Sequence, residues 1–153
     1  MLVFDEKHVA FALEVQNSQD VIDDLAGKLY AQECVSKEYG RLTWEREIEH
    51  PTGLPTTPFC IAFPHADSDG VFRSALAVAL LKKPVLFKNM ADPDEDLEVH
   101  IVLMLANKNP EEQIQTLRNL ALLFGDPDKL VNLRDQPDSK HAADWLTREL
   151  RLS

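Results

Sequence analysis

At 153 residues, 44% of them apolar and only five of them glycine, the chain is long enough to close one ordinary core and has none of the bias of a disordered, collagenous or low-complexity segment. Its formal net charge is −10, and its 16 lysines and arginines are scattered; this argues against a footprint for nucleic acid or anionic lipid and leaves proteins and small molecules as partners. No apolar run approaches the roughly 18 to 20 residues that span a bilayer and no basic-then-apolar leader opens the chain, so a cytoplasmic protein with one domain over residues 1–153 is expected.

In chain order, the mostly apolar segment from His8 to Val15 reads as a short strand. Ser18 then precedes Val21, Ile22, Leu25 and Leu29, whose spacing suits a helix with one buried face. A second helix is expected from about Ser36 to Glu49, stopped by Pro51-Thr52-Gly53-Leu54-Pro55. Three strand-like runs follow, Phe59 to Phe63, Ser74 to Leu81 and Glu98 to Leu105, separated by turn-forming stretches that include Lys82 to Pro84. The run from Val99 to Leu105 lacks alternation, which predicts a strand covered on both faces and therefore helices on both sides of the sheet.

Asn109-Pro110-Glu111-Glu112 reads as an N-cap, a proline at the first helical position and a capping-box glutamate, ahead of a buried stripe of Ile114, Leu117, Ala121 and Phe124. A short helix from Pro127 to Arg134 and a last one opened by Pro137-Asp138-Ser139 complete the chain. The fold class expected is α/β, a sandwich with a central sheet and helices on both faces. Cys34 and Cys60 fall in segments read as helix and strand, where reduced buried thiols are expected rather than a disulfide.

Of the five histidines, only His65 has an unusual setting. It follows the apolar strand and Pro64, and so emerges at a strand's carboxyl end, where chemistry collects in open α/β sheets. Pro64 fixes its own φ and holds Phe63 extended, which stiffens the backbone beneath the imidazole. A neutral imidazole can attack phosphorus with one nitrogen, provided the other finds an acceptor. The alternative is a satisfied structural histidine.

Arg46 lies seven residues after Tyr39 and four after Leu42, on their helical face, and a charge there needs a partner. Phosphate or carboxylate would serve; so would a salt bridge to Glu47, Glu49 or a more distant carboxylate. Gln113, at a helix start, could donate to an anion or simply be solvated. Asp92 to Asp96 lacks the glycine and glutamate of a calcium loop. His65 with Asp67 and Asp69 has no second cluster to complete a metal site, and no phosphate-binding glycine loop is present. His100, inside an apolar strand, reads as a core histidine.

Taken in order, Arg46-Glu47, Pro51-Thr52-Gly53-Leu54 and Ile61-Ala62-Phe63-Pro64-His65 resemble the signature of the enzyme IIA domain of the phosphoenolpyruvate-dependent sugar phosphotransferase system, in its mannitol and fructose class. With the Asn109–Gln113 helix start and the overall length, the chain looks most like the galactitol-type branch, over about residues 8 to 150. The resemblance implies a mixed sheet and a phosphohistidine carrier with no cofactor and no metal. His65 would accept a phosphoryl group from HPr and pass it to a cysteine of the cognate enzyme IIB. Arg46 would steady the phosphohistidine, and Gln113 would stand where many members carry a second histidine. Two other functions stay open: a regulatory relative that signals by docking, and a metal-dependent hydrolase built on His65 and Asp67.

Overall fold

The structure, a computed structural model, describes residues 2–152. One five-stranded mixed sheet organises it, in the order β1-β4-β5-β3-β2. The strands are β1 (Val9–Leu13), β2 (Gly53–Leu54), β3 (Cys60–Ala62), β4 (Ala75–Lys88) and β5 (Asp96–Ala106). β1 runs parallel to β4 and β3 parallel to β5, whereas β4 with β5 and β2 with β3 are antiparallel. The carboxyl ends of β3 and β5 therefore lie at the same end of the sheet.

Alternation along β4 divides the core in two, because successive side chains of a strand point to opposite faces. Ala75, Ala77 and Ala79 pack with α1 (Ser18–Ala31) and α2 (Tyr39–Glu49) on one face, where their small side chains lie among Val21, Ile22, Leu25 and Tyr39. Leu76, Val78 and Leu80 pack on the other face with α3 (Ile114–Phe124), α4 (Pro127–Arg134) and α5 (Ser139–Glu149). The sheet with helices on both faces is thus the architecture that the uninterrupted run in β5 required. No helix of the described residues is long and apolar enough to cross a membrane.

Several local expectations are corrected. The first helix begins at Ser18 and is capped by Asn17, whose side chain accepts from the Asp20 N–H. α2 starts at Tyr39 and not Ser36, because Ser36 N–H is taken by Gly70 O and Val35 bridges Val71. Lys82 to Pro84 is no turn: β4 continues through it, with a register shift between Leu80 and Val85. A bulge of this kind accommodates the proline's missing donor. The two-residue β2 lies inside the stretch read only as a helix stop.

Asn109 forms no side-chain cap; Pro110–Gln113 is instead a 3-10 turn leading into α3. The buried face of α3 is Leu120 and Leu123. Ile114 and Leu117, expected in the core, are 49% and 38% exposed, and Ala121 is exposed as well. The inward positions are Gln113, Leu120 and Leu123, and of the expected stripe Phe124, half-buried, packs against the same cluster. The thiols of Cys34 and Cys60 are free, with Cys34 in the turn after α1. His8 is the fully buried histidine, while His100 is only half-buried, against the ring of Phe59.

Candidate functional site

β3 ends after Ala62 because Pro64 has no N–H to extend a ladder. The last free donor, Phe63 N–H, carries the β2–β3 register one residue further, onto Thr52, and is shared between its carbonyl at 3.3 Å and its hydroxyl oxygen at 3.2 Å. Past the proline, half-buried His65 turns its Nδ1 back to the Phe63 carbonyl oxygen at 2.9 Å. A carbonyl can only accept, so this bond places the imidazole proton on Nδ1 and leaves the lone pair on Nε2. One residue later, Ala66 N–H donates to the phenol oxygen of buried Tyr39 at 3.3 Å. Side chains from two elements thus pin the backbone on both sides of His65.

α2 supplies the charge beside this segment. Arg46 Nη1 approaches Asp67 Oδ1 at 3.5 Å, so its carboxylate partner is neither Glu47 nor Glu49 but a residue two past His65. Arg46 Nε is buried and has no hydrogen-bond partner among the described residues. Arg46, His50, Ala66, Asp67 and Asp69 line a cavity of about 350 Å³. An arginine that lines an open cavity next to an imidazole-bearing loop is suited to an anion that takes two parallel N–H bonds.

Glu47, adjacent to Arg46 in sequence, turns into the protein instead. It is 6% exposed, and its two carboxylate oxygens accept from the Thr52 N–H and the Thr52 hydroxyl, each at 2.8 Å. Burial pushes its carboxyl above the ordinary carboxylate range, and the two Thr52 bonds pull it back.

Gln113 is 4% exposed, seven residues beyond the end of β5 and so at the same end of the sheet as His65. Its carboxamide oxygen accepts from the Thr116 hydroxyl at 3.3 Å, which leaves the amide nitrogen as the group able to donate. No hydrogen bond joins it to His65 among the described residues. The structure therefore brings Arg46 to the His65 loop and puts Gln113 at the same sheet end through a different element.

Glu47, Thr52 and Tyr39 escaped the sequence reading as parts of this site, as did His50. The first two sit inside the quoted motif, but their role depends on the pairing of β2 with β3, which a two-residue strand does not announce. Among the described residues no group of three or more His, Cys, Asp or Glu side chains gathers as metal ligands would. Asp67, the partner invoked for a metal-dependent hydrolase, faces Arg46.

Comparison with known proteins places this geometry. A sequence model of the phosphoenolpyruvate-dependent sugar phosphotransferase system, EIIA 2, matches residues 2–148. The galactitol-specific EIIA component of Escherichia coli K12 is 28% identical over 121 residues, which is 79% of this chain and 80% of that protein. The solution structure of the mannitol-specific cryptic phosphotransferase enzyme IIA CmtB from Escherichia coli superposes with a TM-score of 0.78 at 21% identity, covering 95% of each chain. The complex of enzyme IIAMTL with phosphorylated enzyme IIBMTL from Escherichia coli gives 0.71 at 18% identity over 99% of each chain. Those two likenesses show the shared fold.

Proposed function

Because the chain belongs to the EIIA 2 family of the phosphoenolpyruvate-dependent sugar phosphotransferase system, and is thereby a phosphotransferase component, we propose that its phosphoacceptor is Nε2 of His65. The observation that carries this reading is the bond from His65 Nδ1 to Phe63 O, which commits one ring nitrogen and frees the other. Transfer in begins when the Nε2 lone pair attacks phosphorus of a donor phosphohistidine on HPr. The donor's P–N bond breaks, a new P–N bond forms, and the Nδ1 proton stays on its carbonyl acceptor. Transfer out reverses the roles: a cysteine thiolate of a cognate enzyme IIB attacks, a P–S bond forms, and Nε2 recovers its lone pair.

Such phosphoryl transfer leaves little covalent work for the protein, so positioning and charge do most of the catalysis. Arg46 supplies the charge through its guanidinium, and Gln113 supplies a neutral donor at a helix start. Asp67 holds the guanidinium while no phosphoryl group is present. The acidic residues Glu45, Glu49, Asp67 and Asp69 around the cavity suit a donor with a basic docking patch, and exposed Ile114 and Leu117 add apolar contact just beyond Gln113. The name of the galactitol-specific relative supports a sugar alcohol as the cargo of the system. The mannitol complex, in which an enzyme IIA docks with its phosphorylated IIB, supports an enzyme IIB as the acceptor. A cytoplasmic location is proposed for this chain.

Incubation with enzyme I, HPr and phosphoenolpyruvate should add one acid-labile phosphate to the protein and none to a His65→Ala variant. Full labelling of the variant would refute the assignment.

A further inference from the structure

We infer that Glu47 is a positioning residue for the transfer: acting through Thr52 and the Phe63 backbone, it holds His65 in the orientation and tautomer that present Nε2. The inference rests on the reading of His65 as phosphoacceptor.

Glu47 is nine-tenths buried, and no salt bridge joins it to a cation among the described residues; neighbouring Arg46 pairs with Asp67. A buried carboxylate without a counter-charge is costly unless several donors satisfy it, and here both donors come from one residue, Thr52. This fixes the direction of each bond in turn. A carboxylate only accepts, so the Thr52 hydroxyl proton points at Glu47 Oε1. With its proton committed, Oγ1 meets Phe63 N–H as an acceptor, at 3.2 Å. That bond anchors Phe63 at its N–H, and the Phe63 carbonyl, in the next peptide unit across Cα, accepts from His65 Nδ1–H at 2.9 Å.

Carboxylate, hydroxyl, the Phe63 backbone and the imidazole are thus linked in sequence, each donor with a single sense, so that Glu47 acts on the ring by fixing where Phe63 sits. Thr52 cannot drift from this seat. It is 3% exposed, and a Cβ on the next residue, Gly53, would stand 2.4 Å from the Lys88 carbonyl oxygen, so the Thr52–Gly53 backbone lies flush against the end of β4.

Three substitutions separate positioning from packing. Thr52→Val keeps the branched shape and the N–H bond to Glu47 and deletes only the hydroxyl. Thr52→Ser keeps the hydroxyl. Glu47→Gln keeps the volume but leaves a single acceptor oxygen for two donors. In the full chain with 15N-labelled histidine, the parent and Thr52→Ser should show neutral His65 as the Nδ1–H tautomer, with single-turnover transfer from phosphorylated HPr within about twofold of each other. Thr52→Val and Glu47→Gln should show mixed tautomers and transfer slowed by about tenfold, the scale on which a misplaced reacting group loses rate.

A folded Thr52→Val protein with either parent-like His65 nitrogen shifts or a parent-like rate overturns the inference. Glu47→Gln decides by the same two readouts if Thr52→Val does not fold. A parent protein that takes no phosphate on His65 would overturn the phosphoacceptor reading instead, and the nitrogen shifts would still decide whether the series holds the ring.

Discussion

The Nδ1–H of His65 donates to the carbonyl oxygen of Phe63, only two residues earlier, at 2.9 Å. Because the acceptor belongs to the same short stretch of backbone, the bond travels with the ring and does not depend on which partner is docked. The rings of Phe63 and His65 lie 5.8 Å apart, and Phe63 packs edge-on against Phe124 of α3 at 5.6 Å. One residue thus orients the imidazole by its backbone and ties the loop to the helical layer by its side chain.

Arg46 should matter through its planar fork and not only its charge. Arg46→Ala is expected to slow single-turnover transfer from phosphorylated HPr by about 100-fold, as removal of one preorganised donor does elsewhere, and Arg46→Lys by about tenfold. Rapid-quench measurement of the phosphorylated protein checks both, and a lysine variant as fast as the parent would contradict the forked role.

If Arg46 clamps the phosphoryl group as proposed, Asp67 competes with it for the same guanidinium. With Asp67 85% exposed and Arg46 37% exposed, their pair contributes at most about 1 kcal/mol to stability. Asp67→Asn should therefore melt within a few degrees of the parent, while its phosphorylated form survives longer against hydrolysis, because a negative neighbour is gone. The decay of the 31P signal in the two proteins is the comparison to make.

Gly53 is required by space. A Cβ there would meet the Lys88 carbonyl oxygen at 2.4 Å, and backbone cannot yield as a side-chain tip can. Gly53→Ala should destabilise the protein by about 1 to 3 kcal/mol, the usual range for overpacking, and should slow phosphorylation by displacing Thr52. Denaturant unfolding measures the first effect and the transfer assay the second.

His8 predicts an acid-side loss of stability. It is fully buried, its Nδ1–H donates to Leu76 O at 2.9 Å, and Nε2 has no partner among the described residues. Burial lowers its pKa from the ordinary 6.5. Between the lowered folded value and 6.5 the unfolded chain binds more protons, so stability rises with pH in that window and falls on acidification through it. Melting temperature should drop as pH is lowered from 7 through 6, and His8→Gln, which cannot take a charge, should show a shallower drop. His100, also lowered by burial, leaves a residual slope.

Much of this fold is legible in the sequence because it follows from periodicity. The Pro127–Arg134 helix and the last helix begin where proline and aspartate place them, and the unbroken apolar run of β5 demands cover on both faces. Periodicity fails where tertiary packing selects another face: Ile114 and Leu117 fit a helical stripe with Phe124, but α3 docks on the sheet through Leu120 and Leu123 and leaves the first two exposed. It fails again at Lys82–Pro84, where pairing with β5 overrides local turn chemistry. Within the site, His65 and Arg46 stand out by residue type and spacing. The Glu47–Thr52–Phe63 series does not, because its bonds exist only once β2 and β3 are paired.

The most direct measurement is nitrogen–phosphorus coupling in the phosphorylated protein, uniformly labelled with 15N. The structure predicts a single phosphohistidine, at His65, with phosphorus coupled to Nε2 and the proton retained on Nδ1. Phosphorus on Nδ1 of His65, or on any of the other four histidines, would contradict it.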